Sequence, residues 1–260
     1  MTKVLSFGDR IAPGRYEVLS RFDRAVNLAG PGLVGLVTPA VSGGPINIVM
    51  EGADLTRVEV LVVRREDILL DGVPFPKSPL YDSSLPAGRP DPSRLKELLL
   101  RKAHPKSLAF LLDFKRGAAF SSGFEKALAQ RLRGAAEALR RGELETGARE
   151  ARGAGFGLTP SGDDLLAGYL WGLHLRQRAC GGDLSLDIAR VYAAGKGANP
   201  LSSAFLDCAR EGRFFQPLKE LLAQTSEDRL DAVLAAGETS GADVCVGVLL
   251  ALEKEASLWS

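Results

Sequence analysis

Hydrophobic and polar positions follow two different periods along this chain. Before residue 75 the apolar residues fall in short runs of β type, "KVLSF", "RYEVLSR", "RAVNLA", "LVGLVT", "INIVM" and "VEVLVV", punctuated by glycine and proline in "GPGLVG" and "SGGPIN". That pattern predicts a compact sheet or small barrel. The stretch "DGVPFPKSPLYDSSLPAGRPDP" has no regular apolar period and carries five prolines from Pro74 to Pro90, so it predicts a connection. Beyond it the period becomes helical. Asp91 and Pro92 form a cap and first-turn pair for "SRLKELLLRKA", and from Ser122 the residues Phe124, Leu128, Leu132 and Leu139 fall near one helix face. "SSAFLDCAREG", "PLKELLAQ" and "TSEDRLDAVLAAG" predict shorter helices. The expected fold class is α+β, with a β-rich unit and its connecting segment over 1–90 packed on a larger, mostly helical domain over 91–260.

One pattern occurs twice. "TPSGDDLLAGYLWGL" (159–173) and "ETSGADVCVGVLLAL" (238–252) share Ser-Gly-x-Asp-x-x-x-Gly and then continue as apolar helices. The matching residues are Ser161, Gly162, Asp164 and Gly168 against Ser240, Gly241, Asp243 and Gly247. The intervening segments show no comparable match, so a duplicated domain does not follow.

The structural reading of each copy is a capping box, with serine at the N-cap and an acidic residue three positions later. The functional reading is a ligand site. A cap needs neither a glycine after the serine nor the preceding "GFG", whereas Gly155, Gly157, Gly162 and Gly241 would let backbone amides approach a ligand closely. Gly168, Gly172 and Gly247 would let both helices pack closely near their starts, so that the two starts meet beside one polar pocket. Asp163 places a second carboxylate beside Asp164. Three aspartates would repel a bare anion, and a magnesium ion would resolve that conflict. Asp163, Asp164 and Asp243 would then hold the metal, while backbone amides with Thr159, Ser161 and Ser240 hold the anion. Without a metal, the carboxylates would accept hydrogen bonds from a substrate amide or amine. Asp163, Asp164 and Ser161 are the candidate catalytic residues. A nucleophilic role for Ser161 is disfavoured, because no histidine or lysine is locally placed to activate it.

Composition narrows the function classes. Lysine and arginine total 33 against 32 for aspartate and glutamate, so no overall field favours nucleic acid or an anionic membrane. The start of the chain lacks the pattern of a signal peptide, and no apolar run is long enough to span a bilayer, so a cytoplasmic protein is expected. Cys180, Cys208 and Cys245 are odd in number and widely spaced, which reads as small core residues rather than disulfides or a zinc site. His104 and His174 have no partner at ligand spacing. His104 precedes Pro105 and reads as a loop residue. His174 lies about 15 Å along the helix from Asp164, too far to serve it as a base.

Other segments are candidates to complete the pocket. "GKGANPLSSAFLDCAREG" supplies Asn199 and a Ser202/Ser203 pair before a helix, which also reads as an ordinary N-cap. In the β half, Asn27 and the Pro45 region of "SGGPIN" are weaker candidates, since a strand asparagine is commonly a turn or edge residue.

Taken together, "GFGLTPSGDDLLAG", "NPLSSAFLDCAREGRF" and "TSGADVCVG", with "FDRAVNLAGPGLVGLV" and "GGPINI", resemble the bacterial AllH-like family. This family was long described as a domain of unknown function. The resemblance runs from about Arg21 to about Leu252 and departs where Asn199 and Pro200 replace a threonine-rich approach. It implies a subunit of the oxamate carbamoyltransferase complex of anaerobic allantoin breakdown, a branch of purine catabolism. A small anionic metabolite and partner subunits are implied with it. A non-catalytic assembly or regulatory subunit, or a small-molecule phosphotransferase lacking a Walker-type loop, are the alternatives.

Overall fold

The computed structural model describes residues 2–77, 79–235 and 237–253. Ser78, in the predicted connection, and Ala236, in the last of the predicted short helices, lie outside them. Contacts divide the chain into two units, residues 1–84 with 214–219, and residues 85–213 with 220–260.

The first unit is a nine-stranded curled sheet. Its strands are β1 (Lys3–Gly8), β2 (Gly14–Phe22), β3 (Ala25–Ala29), β4 (Leu33–Val37), β5 (Asn47–Glu51), β6 (Val60–Val63), β7 (Asp67–Leu70), β8 (Val73–Pro76) and β9 (Leu80–Tyr81). The order is β8-β7-β6-β2-β3-β4-β5-β1-β9, antiparallel except for β4 with β5 and β1 with β9. Alternation sets which face is inside. Val26 and Leu28 of β3, Val34 and Leu36 of β4, and Leu61 and Val63 of β6 all point into one core, with Tyr16, Ile48 and Ile68. Segment 214–219 belongs to the same unit. Phe214 is fully buried, its amide donates to the Ser83 carbonyl (2.8 Å), and Gln216 accepts from the Gly43 amide (3.0 Å).

The proline-rich connection contains more structure than its composition predicts. The β7–β8 hairpin turns at Asp71-Gly72, and Pro74 and Pro76 sit on β8 at the sheet edge, where a missing N–H costs no ladder bond.

The second unit is helical: α1 (Pro92–Lys102), α2 (Gly123–Arg141), α3 (Leu144–Ala151), α4 (Ser161–Cys180), α5 (Ser185–Gly195), α6 (Pro200–Arg210), α8 (Glu227–Leu234) and α9 (Ser240–Leu252), while α7 (Gln216–Ala223) begins in segment 214–219. Asp91 caps α1, accepting from the Arg94 amide (2.8 Å), with Pro92 in the first turn. Asp91→Ala is expected to cost about 1 kcal/mol, read from the urea midpoint at unchanged slope. Ser122 and Glu125 form a complete capping box on α2. Phe124, expected on the buried face of α2, is instead exposed, and its ring pairs with that of Phe156 at 5.2 Å. Of the cysteines, Cys208 and Cys245 are buried, whereas Cys180 ends α4 in the open. No helix among the described residues is long and apolar enough to cross a membrane.

α4 and α9 are the innermost helices. Buried side chains run almost without a break from Gly162 to Arg176 and from Gly241 to Leu252, the pattern of helices surrounded by other elements. They run parallel and in register. A Cβ on Gly168 would lie 2.0 Å from the Val244 carbonyl oxygen, and one on Gly247 would lie 2.1 Å from that of Leu165. The two backbones touch through equivalent positions of the repeated motif, which places Ser161 beside Ser240.

Candidate functional site

Neither motif is a capping box. The N-cap of α4 is Pro160, whose carbonyl accepts from the amides of Asp163 (2.8 Å) and Asp164 (3.1 Å), and the N-cap of α9 is Thr239, which accepts from the Asp243 amide (2.9 Å). Neither cap residue's side chain accepts from a backbone amide of its helix. Ser161 and Ser240 therefore sit one position inside their helices, and their hydroxyls turn sideways.

They turn towards each other's motif. The Ser240 hydroxyl acts on Asp164 and the Ser161 hydroxyl on Asp243, so each serine serves the aspartate of the other copy. Thr159 joins the two halves, with its hydroxyl 3.1 Å from that of Ser240 and donating to Asp164 Oδ2 at 3.2 Å. The exchange follows from the register of α4 against α9.

The glycine after each serine has a packing role rather than the ligand-approach role its sequence context suggests. A Cβ on Gly162 would lie 1.9 Å from the Ala151 carbonyl oxygen, one on Gly241 would lie 2.1 Å from that of Val233, and the Gly162 amide already donates to Ala154 (2.7 Å). The ends of α3 and α8 occupy the space where side chains would be.

The three aspartates have separate environments. Asp163 accepts from the Gly153 amide (2.7 Å) and ties down the loop entering α4. Asp243 is completely buried. Its Oδ1 accepts from the Leu108 amide (2.6 Å), at the start of the 3₁₀ turn Leu108–Leu111. Its Oδ2 is buried without a well-formed hydrogen bond, although the hydroxyls of Ser161 and Thr239 favour the charged form. Burial dominates and pushes the Asp243 carboxyl up to about 7. Burial also raises Asp164 well above the ordinary carboxylate range, against the hydroxyls of Ser240 and Thr159 and with Asp243 and Asp163 adding to the rise. Among the described residues no three ligating side chains are grouped to hold a metal.

The loop before α4 brings in a third helix start. Gly155 and Gly157 take positive φ (140° and 87°), and Asn199 both caps α6, accepting from Leu201 (2.9 Å) and Ser202 (3.2 Å), and donates to the Leu158 carbonyl (2.7 Å). Ser202 is buried, and its Oγ has no partner among the described residues. Thr159, Ser161, Asp164, Ser240 and Asp243 thus converge, with Asn199 joined to them through the loop. Asn27 and Pro45 lie in the first unit with local partners: Asn27 donates to Ser20 (3.0 Å), and the Pro45 carbonyl accepts from the Arg10 amide (2.9 Å). Leu108 and Gly153, whose amides fix two of the aspartates, escape sequence reasoning because a backbone donor leaves no mark on residue type.

Residues 152–252 match the AllH family. The description of that family is oxamate carbamoyltransferase subunit AllH. The AllH match contains both Ser-Gly-x-Asp motifs, the loop between Gly153 and Thr159, and the Asn199 cap. No curated protein and no solved structure matches the chain.

Proposed function

We propose that this chain is a subunit of an oxamate carbamoyltransferase-type complex, and that the paired starts of α4 and α9 bind a small anionic or phosphorylated ligand. The exchanged serine–aspartate pairs carry the reading. Two parallel helices present unpaired amides and like partial charges side by side, an arrangement that needs counter-charge. Burial raises the carboxyls of Asp164 and Asp243, so they supply less of it than exposed aspartates would, and in the protonated form they donate to a ligand oxygen instead of repelling it. Carbamoyl transfer needs a stabilised phosphate leaving group and a polarised carbonyl. Thr159, Ser161, Ser240 and protonated Asp164 are donors of the kind that supply both. The partners on this reading are the other subunits and a small metabolite.

A second reading, a non-catalytic assembly or regulatory subunit, is favoured by the complete burial of Asp243 and by the use of Asp163 to hold its own loop. Calorimetry with carbamoyl phosphate separates the two. Ser240→Ala is expected to weaken binding about tenfold, the equivalent of roughly 1.4 kcal/mol, with little change in melting temperature. Unchanged affinity selects the assembly subunit. The same titration with magnesium tests the metal: tighter binding in wild type but not in Asp164→Asn would assign the aspartates a cation.

A further inference from the structure

A cavity of about 600 Å³ lies along α2, opposite the 3₁₀ segment Phe114–Ala119, and shares no residue with the helix starts described above. Lys126, Arg133, Gly134 and Glu137 line it from α2, and the buried ring of Phe120 lines it from the other side. Arg133 is half-buried, with its guanidinium carbon 5.2 Å from the centre of the Phe114 ring. It makes no hydrogen bond or ion pair among the described residues, and its Nε is shielded from solvent as well. Its planar fork matches a carboxylate edge to edge, and the buried Nε is a donor that only a group entering the cavity would reach. Lys126 adds a second cation with no ion pair among the described residues.

Gly134 points the same way. Glycine in mid-helix weakens a helix relative to alanine and is usually explained by close packing. Here a Cβ would meet nothing within 4 Å. Its absence widens the cavity mouth one residue from Arg133. Glu137, one turn further along α2, supplies an acceptor near the two cations.

We infer that this cavity binds a small organic carboxylate bearing an N–H donor, with the carboxylate on Arg133 and Lys126, the N–H on Glu137, and an apolar portion against Phe120. NMR titration of the full chain with N-acetylglycine tests this, with acetate and inorganic phosphate as comparators. Saturable binding of N-acetylglycine is expected, tighter than either comparator. It should weaken at least tenfold in Arg133→Met and be lost in Gly134→Leu, whose melting temperature should stay at or above that of wild type. Ser240→Ala should leave it unchanged, which separates this site from the helix starts. The inference is overturned by the absence of saturable binding, by phosphate binding equally well, by loss in Ser240→Ala, or by unchanged affinity in Arg133→Met. That last variant decides the matter alone if Gly134→Leu does not fold.

Discussion

Gly247→Ala is expected to destabilise the helical unit by roughly 3 kcal/mol or more, at the upper end of the cost of overpacking a core. The added methyl would sit 2.1 Å from the Leu165 carbonyl oxygen and 2.7 Å from the Tyr169 amide nitrogen, both backbone atoms of α4. A flexible side chain could swing aside, but a helix backbone cannot move without displacing its neighbours. Gly168→Ala should cost about as much, because its methyl would meet Val244 of α9 in the same way. The double variant should cost less than the sum, since the first substitution already separates the helices. Urea denaturation checks all three. A loss below about 1 kcal/mol for Gly247→Ala would show that the two helices part easily, and that the register placing Ser240 against Asp164 is not held by the glycines.

The sheet and most of the helices are readable from periodicity because burial on one face imposes it. The six strand runs before residue 65 carry their own alternation, and Asp91-Pro92 marks the start of α1 through local backbone chemistry. What escapes the sequence depends on distant partners. β8 is hidden by Pro74 and Pro76, tolerable only because the strand lies at an edge. Phe124 fits the apolar stripe of α2 by spacing, yet its ring meets Phe156 of a loop. The repeated motif is visible as residues but not as geometry. Serine three positions before aspartate reads as a capping box, and only the in-register contact of α4 with α9 shows that each serine faces the aspartate of the other helix. The glycines after the serines likewise read as openings for a ligand, until the carbonyls of Ala151 and Val233 are found in the space a side chain would need.

Asp243→Asn is expected to make the protein more stable than wild type at pH 8, by a margin that shrinks as pH falls and closes near pH 4. The carboxyl titrates near 7 in the fold, because burial outweighs the Leu108 amide and the neighbouring hydroxyls, against about 3.9 in an unfolded chain. The folded state therefore binds more protons between those values. Stability is fully present below about pH 4 and is lost as pH rises through about 7, by roughly 2–4 kcal/mol for a group so deeply buried. Asparagine copies the shape of the protonated acid: its carbonyl oxygen can still accept from Leu108, and its amide can donate towards Ser161 or Thr239. The variant should thus lose much of the downward slope between pH 5 and 8. Some slope remains from Asp164, whose raised carboxyl acts in the same direction. Denaturation midpoints across that range provide the test. An Asp243→Asn variant less stable than wild type at pH 8 would mean that the carboxylate is charged and satisfied in the fold, held by a cation or a donor at the helix starts.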